Sequence, residues 1–278
     1  MVDLTSYNTL RVPAKAHDFK ILRSLKDLKE LRVDEPYMFL CLGANVLFVH
    51  DFPGTIIQVN LKGKKVISEN NEEVIIEVAA GENWHELVMW TVENNWSGME
   101  NMALIPGTAG AAVVGNIAAY GQNQGDLVQS VEVYDLQQNS FEIFTHDQCK
   151  FVYRNSALKK YLITKVIYKV SKTAQFSTDY HSRYESLEKE LQAYPTEKML
   201  YPDKVEADLV KIPAGRLLDE LGWRGKTIGQ VSTFEKHALA IINLGGATGQ
   251  EIFDYAEAMR ADIRKNFDIE LEYEVRII

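Results

Sequence analysis

The stretch with the strongest chemical signature runs Leu104-Ile-Pro-Gly-Thr-Ala-Gly-Ala-Ala-Val-Val-Gly-Asn-Ile-Ala-Ala-Tyr-Gly121. Its eighteen residues hold no charge and four glycines, so the backbone can bend sharply and approach a large ligand closely. A core strand or helix would use Leu, Ile and Val at a fixed period, and none is sustained here. A tightly packed buried turn is the other use of the same residues. A second small-residue turn, Gly43-Ala-Asn45, lies between apolar runs at 38–42 and 46–49. A strand, a Gly-Asn turn and another strand can aim main-chain NH groups at a phosphate. Metal chemistry is not expected, because His17, His50, His85, His146, His181 and His237 show no paired ligand spacing. His85 reads as a packing residue of a capped helix. Cys41 and Cys149 have no CxxC spacing and read as buried small apolar residues in a reducing compartment.

The elements that must position these turns follow from periodicity. Residues 18–32 place Phe19, Leu22, Leu25, Leu28 and Leu31 mostly three apart, which predicts a short amphipathic helix. Strands are expected at 38–42, 46–49, 56–61 and 74–78, with Gly63-Lys-Lys65 in a break. Asn83 caps a helix over 84–94 that buries Trp84, Leu87, Val88 and Thr91. A hairpin is expected from 128–136 and 141–144, then an aromatic-anchored loop at 149–156 and a closing strand at 162–170. Beyond Ser171, 180–191 reads as a charged helix and 194–202 as a broken connector. A helix follows from Ile212-Pro-Ala-Gly and stops at Gly222. A buried strand at 238–243, an amphipathic helix over 250–267 and a last strand at 270–278 complete the chain.

The 278 residues are 46% hydrophobic and 25% charged, the composition of a folded globular protein with two or three subdomains. A formal net charge of −9 without a Lys/Arg run argues against a nucleic-acid or anionic-membrane surface. The beginning of the sequence lacks signal-peptide features and the longest apolar run, 37–49, is too short to span a bilayer. A cytoplasmic protein is expected, with its oligomeric state open.

Taken in order, Asn8-Thr9, Leu42-Gly-Ala-Asn-Val-Leu47, Gly81-Glu-Asn-Trp-His85, Glu100-Asn-Met-Ala-Leu-Ile-Pro-Gly-Thr108, Asn116 to Gly121, Tyr153-Arg-Asn-Ser156 and Glu272-Tyr-Glu-Val-Arg276 resemble the UDP-N-acetylenolpyruvoylglucosamine reductases, also called UDP-N-acetylmuramate dehydrogenases. The resemblance spans almost the whole chain. It implies an α+β protein with a two-subdomain FAD-binding fold of the vanillyl-alcohol-oxidase type, here roughly 1–62 and 63–172. A shortened α/β substrate domain would follow at 173–278. It further implies FAD as cofactor, NADPH as co-substrate and a UDP-sugar substrate in peptidoglycan precursor synthesis. By the same resemblance Asn8, Thr9, Gly43, Asn45, Pro106, Gly107, Gly110, Asn116, Tyr120 and Gly121 hold the flavin. Arg154 would grip the substrate carboxylate beside Tyr153 as charge develops there, and Glu274 would assist.

The chain also departs from the family. A Gly-Ser-Phe-Phe-like motif whose serine donates the proton is missing between the charged helix and Ile-Pro-Ala-Gly, as though a few tens of residues were lost. Ser156, Ser177 and Ser182 are available hydroxyls, and none sits in a Gly-Ser-aromatic setting. Cys41, Ala44 and Ala118 replace a glycine, a serine and a glycine, and Ala111, Ala112 and Val113 carry no side-chain donor. Three readings stand at this level: a reductase of the family, a non-catalytic binding or regulatory paralogue, and a flavoprotein with a different substrate.

Overall fold

The computed structural model describes residues 1–33, 36–173 and 213–278. In chain order its elements are β1 (Val2–Asp3), β2 (Lys15–Leu22), α1 (Leu25–Glu30), β3 (Tyr37–Leu40), β4 (Val46–Leu47), β5 (Phe52–Val59), β6 (Lys64–Glu69), β7 (Glu73–Ala79), α2 (Trp84–Glu93), α3 (Ala109–Gly115), β8 (Ala118–Ala119), β9 (Gln122–Asn123), β10 (Val128–Asp135), β11 (Ser140–Thr145), α4 (His146–Cys149), β12 (Leu162–Ser171), α5 (Ala214–Glu220), β13 (Thr227–Ile228), β14 (Val231–Phe234), β15 (His237–Asn243), α6 (Gly249–Phe267) and β16 (Arg276–Ile277). They fall into two compact units.

The first unit comprises Met1–Val2, Ala16–Ala44 and the described residues of 52–180. One sheet has the order β1-β2-β5-β3, with β2 and β3 both parallel to β5. Central β5 is buried along nearly its whole length, as a strand covered on both faces must be. The other sheet has the order β11-β10-β12-β7-β6 and is antiparallel throughout. Here β7 alternates, burying Val74, Ile76 and Val78 and turning Glu73 and Glu77 outward, so one face meets the core and one meets water. The core joins these strands to Trp84, Leu87 and Val88 of α2 and to Ala109, Ala112 and Val113 of α3.

The second unit comprises Asp3–Lys15, Asn45–Asp51 and the described residues of 181–278. Its three-stranded sheet, β13-β14-β15, is antiparallel. Thr248 starts α6 by accepting from the Glu251 NH while the Glu251 carboxylate accepts from the Thr248 NH at 2.7 Å, a reciprocal cap. One stripe of α6 buries Ile252, Tyr255, Met259 and Ile263. Trp223 is buried against the Tyr255 ring at 5.3 Å and donates to Asp262 at 3.0 Å.

Several expectations are corrected. Residues 15–22 form a strand and only Leu25–Glu30 is helical, because parallel pairing with β5 overrides the leucine spacing. Residues 64–69 form an edge strand rather than a break, and their nearly complete exposure removes the apolar alternation that would reveal it. Instead of a buried strand, β15 leaves Leu239 49% exposed, with Ala238 its one buried residue. Only Arg276–Ile277 of the last segment is a strand, parallel to β4. The helix expected at 180–191 and the connector at 194–202 lie outside the described residues.

Candidate functional site

The small-residue stretch is neither a plain turn nor a loop, for it contains α3. Thr108 caps this helix, and its first-turn NH groups are all used by the fold: Ala109 donates to Glu82 O at 2.9 Å, Gly110 to Ala80 O at 2.9 Å and Ala111 to Thr108 Oγ1 at 3.4 Å. The helix start is therefore seated on the end of β7 rather than offered to a phosphate. A Cβ on Gly110 would lie 2.8 Å from the Ala80 Cβ, so this glycine serves close helix-to-strand packing.

Before α3, the chain from Met102 to Gly107 forms an arch whose feet rest on Trp84. The Trp84 indole NH donates to Met102 O at 2.9 Å and its main-chain NH to Gly107 O at 3.1 Å. Leu104, near the crown, is left-handed at φ 65° and 77% exposed, and its NH donates to His85 Nδ1 at 3.3 Å. After α3, Asn116 stops the helix in the left-handed region at φ 43°. Tyr120 and Gly121, at φ 47° and 82°, form the two-residue turn between β8 and β9, the geometry that a tight hairpin requires. Asn101 holds this turn by donating to Tyr120 O at 3.1 Å and to Gln122 Oε1, through its main chain, at 2.8 Å.

The far end of α3 carries the arginine turn. Val152 and Asn155 exchange main-chain hydrogen bonds of 3.0 and 3.1 Å around Tyr153-Arg154. Asn116 Nδ2 donates to Val152 O at 2.9 Å, and Ser156 Oγ donates to Val114 O at 3.0 Å. Behind them Gln124 Nε2 donates to Asn116 Oδ1 at 3.3 Å and the Tyr168 hydroxyl to Gln124 Oε1 at 3.4 Å. This polar chain is buried and internally satisfied, so it fixes one geometry. Arg154 is left-handed at φ 53° and lies 5.9 Å from the Tyr153 ring, which is 86% exposed. Its turn is an exposed tip on a rigid base, not the low-dielectric pocket that an enclosed cation would occupy. Ser156 is buried and spent on Val114, whereas Ser177 and Ser182 lie outside the described residues.

A cavity of about 190 Å³ opens in the first unit among Leu42, Gln58, Asn60, Lys62, Asn83 and Thr108. Cys41 lines it and is half-buried rather than buried. Burial pushes the Cys41 thiol up, against the pull of the Thr108 hydroxyl and the Ala111 NH. The cavity's amide, hydroxyl and ammonium groups suit the sugar and phosphate portions of a dinucleotide, whereas the Glu86 carboxylate in the same wall suits a sugar hydroxyl and not a phosphate. The cavity is below the roughly 300 Å³ at which small-ligand pockets begin. It therefore fits part of an FAD molecule. Lys62 Nζ also donates to Gly81 O, which fixes its charge at the cavity wall. Gly107 leaves open space where a Cβ would stand, with only the Ala111 Cβ at 4.0 Å, so a flat ring system can approach the backbone there.

In the second unit, Asn45 Nδ2 donates to Glu274 O at 3.1 Å and Arg276 NH to Asn45 O at 3.2 Å. These two predicted site residues are brought together, and Glu274 is exposed, which removes the burial that an acid role for it would lean on. Asn8 is buried with its side chain committed to Leu4 O, Val12 O and the Val12 NH at 2.9 to 3.0 Å. It builds the Asn8–Arg11 turn, next to Thr9, rather than presenting an amide to a ligand. Among the described residues no cluster of His, Cys, Asp and Glu could hold a metal.

The first unit, with its parallel and antiparallel sheets, a polar cavity with room for part of a dinucleotide and an arch left open at Gly107, has the architecture of an FAD-binding protein of the vanillyl-alcohol-oxidase type. Residues 28–138 match the family model for an FAD binding domain, and 194–278 match that for the C-terminal domain of UDP-N-acetylenolpyruvoylglucosamine reductase. The chain is 31% identical to the UDP-N-acetylenolpyruvoylglucosamine reductase of Flavobacterium johnsoniae, covering 99% of this chain and 98% of that one. It is 32% identical to that of Dechloromonas aromatica over 97% and 96%. The crystal structure of the Thermus caldophilus enzyme has the same fold, with a TM-score of 0.73 and 23% identity over 99% and 97% of the two chains. The chain belongs to the UDP-N-acetylenolpyruvoylglucosamine reductase family. The alignment with the Flavobacterium protein runs over 329 positions against 278 residues here, so that relative carries about fifty residues without a counterpart in this chain.

Proposed function

We propose that the chain is an FAD-dependent reductase that takes electrons from NADPH and reduces the double bond of enolpyruvyl-UDP-N-acetylglucosamine for peptidoglycan precursors. Bound FAD supplies the hydride chemistry. The observation that supports this reading is the seating of the Arg154 turn on the end of α3 through Asn116 and Ser156, so that the flavin-facing stretch and the carboxylate-gripping arginine share one rigid base. Gly43, Pro106, Gly107, Tyr120 and Gly121 are proposed to admit the flavin by backbone shape. Thr9 and Asn45 keep the family assignment, while Asn8, Gly110 and Asn116 act by holding the turns around it. A division into FAD-binding subdomains at 1–62 and 63–172 and a substrate domain at 173–278 is part of the same proposal.

Reduction loads negative charge onto the carboxyl end of the substrate, and Arg154 supplies a permanent cation with two parallel donors. The neighbouring carbon must gain a proton. That proton is proposed to come from solvent, and Glu274 keeps only the assisting role that the family resemblance implies. Losing a charge-assisted contact at an exposed tip costs roughly 1.5–3 kcal/mol, or about ten- to a hundredfold in rate. Arg154→Ala should therefore lower kcat by about that factor at unchanged flavin content, as read by steady-state NADPH oxidation and by flavin absorbance. An Arg154→Ala rate within threefold of the native rate would remove Arg154 from the mechanism.

A further inference from the structure

The Met102–Gly107 arch is held at three points, and the third is a side chain for which the proposed chemistry has no use. Trp84 secures both feet, at Met102 O and Gly107 O. Its neighbour His85 accepts the Leu104 NH on Nδ1 at 3.3 Å. Leucine has little tolerance for the left-handed region, and Leu104 holds it while 77% of its surface is exposed, so side-chain burial does not enforce the conformation. Strain of this kind persists where surrounding structure over-determines it. Here the side-chain contact that holds the Leu104 NH is the bond to His85 Nδ1, which accepts only while that nitrogen carries no proton.

We propose that His85 is a positioning residue of the flavin site: its Nδ1 holds Leu104 left-handed and so sets the path of Ile105-Pro106-Gly107 where the flavin lies. This rests on the reading of the arch as flavin-facing. The fold does not depend on the contact, since the arch feet, the α3 start on Ala80 and Glu82, and the Asn83 cap of α2 all remain when it is lost. With the bond gone, Leu104 relaxes to negative φ and the three following residues move with it. Asparagine places its Oδ1 close to the position of Nδ1 and can accept the same NH, whereas leucine cannot.

The test compares His85→Leu and His85→Asn with the native chain by two independent readouts. Hydrogen exchange at the Leu104 amide, followed by NMR, reports the bond with or without flavin. The FAD dissociation constant, followed by flavin fluorescence, reports the path of the arch. In His85→Leu the Leu104 amide should exchange three- to tenfold faster and FAD should bind correspondingly more weakly, the range expected for one hydrogen bond, with the urea midpoint nearly unchanged. His85→Asn should restore both. Unchanged exchange in His85→Leu overturns the bond, and faster exchange with unchanged FAD affinity overturns the positioning role. Absence of FAD binding by the native chain instead overturns the flavin reading itself, while the exchange measurement still decides whether His85 shapes the arch.

Discussion

Gly125 shows how little room the buried polar chain leaves. A Cβ there would stand 2.7 Å from Asn116 Oδ1 and 3.1 Å from the Phe151 ring. Gly125→Ala must therefore push Asn116 away from Val152 or Gln124, at an expected cost of about 1–3 kcal/mol and with loosening of the Arg154 turn. Urea denaturation checks the cost, and a raised KM for the carboxylate-bearing substrate checks the loosening. The thiols make a second residue-level case. Burial pushes Cys149 from its ordinary 9.0 up to about 11, and Cys41 is raised as well. A raised folded value means that the neutral thiol is favoured in the fold. The Cys149 contribution to stability is thus complete below about 9 and is lost as pH rises through about 11. Iodoacetamide should label neither cysteine in the native protein at pH 7, because the thiolate is the nucleophile, and mass spectrometry should find both modified only after denaturation.

At the scale of elements, the outer face of the antiparallel sheet carries a ladder of alternating charge across four strands. Lys65 of β6 lies 3.0 Å from Glu77 of β7, Glu77 lies 3.3 Å from Lys165 of β12, and Lys165 lies 3.2 Å from Glu132 of β10. Lys65 foremost, and Lys165 against an opposing burial cost, hold the Glu77 carboxyl below its ordinary range. A depressed folded value stabilises the fold above the unfolded value of about 4.5 and ceases to do so as pH falls through the folded value. Glu77→Gln should lower stability by ~0.5–1 kcal/mol at pH 7 and flatten the acid limb of the stability profile, a difference that disappears in high salt. Elements of this sheet were legible in the sequence wherever burial alternates or a cap is unmistakable, as in β7, the β10–β11 hairpin and the Asn83 cap of α2. Exposed edge β6 leaves no apolar trace, and β2 carries leucine spacing that only its pairing with β5 overrules. The site was legible as a stretch but not as a mechanism of support. Small residues announced close packing around 104–121, yet the bonds from Ala80, Glu82, Trp84 and His85 that shape it are main-chain or ring contacts that residue spacing does not encode. Asn8 and Gly110 match family positions, and their fold roles emerge only from their contacts.

At the scale of the whole molecule, family membership and a chain shorter than its relatives pull the expected chemistry in opposite directions. The relatives supply a reductase template along nearly the full chain, and about fifty residues of the Flavobacterium protein have no counterpart here. The first unit is a joined scaffold: α3 seated on the end of β7 at its start, the Met102–Gly107 arch before it and the Arg154 turn on its far end. In the proposed mechanism this scaffold binds FAD and brings a carboxylate to the Arg154 cation, with the proton taken from solvent. Hydride transfer and protonation are separable in this account, so rate loss should fall on the protonation step and appear as a solvent isotope effect on turnover. The most direct measurement is single-turnover oxidation of photoreduced, FAD-loaded protein by enolpyruvyl-UDP-N-acetylglucosamine, followed by the return of flavin absorbance in a stopped-flow instrument. The account predicts stoichiometric reoxidation with formation of UDP-N-acetylmuramate, slowed about ten- to a hundredfold in Arg154→Ala. Flavin that stays reduced in the native protein under anaerobic conditions with saturating substrate would contradict it.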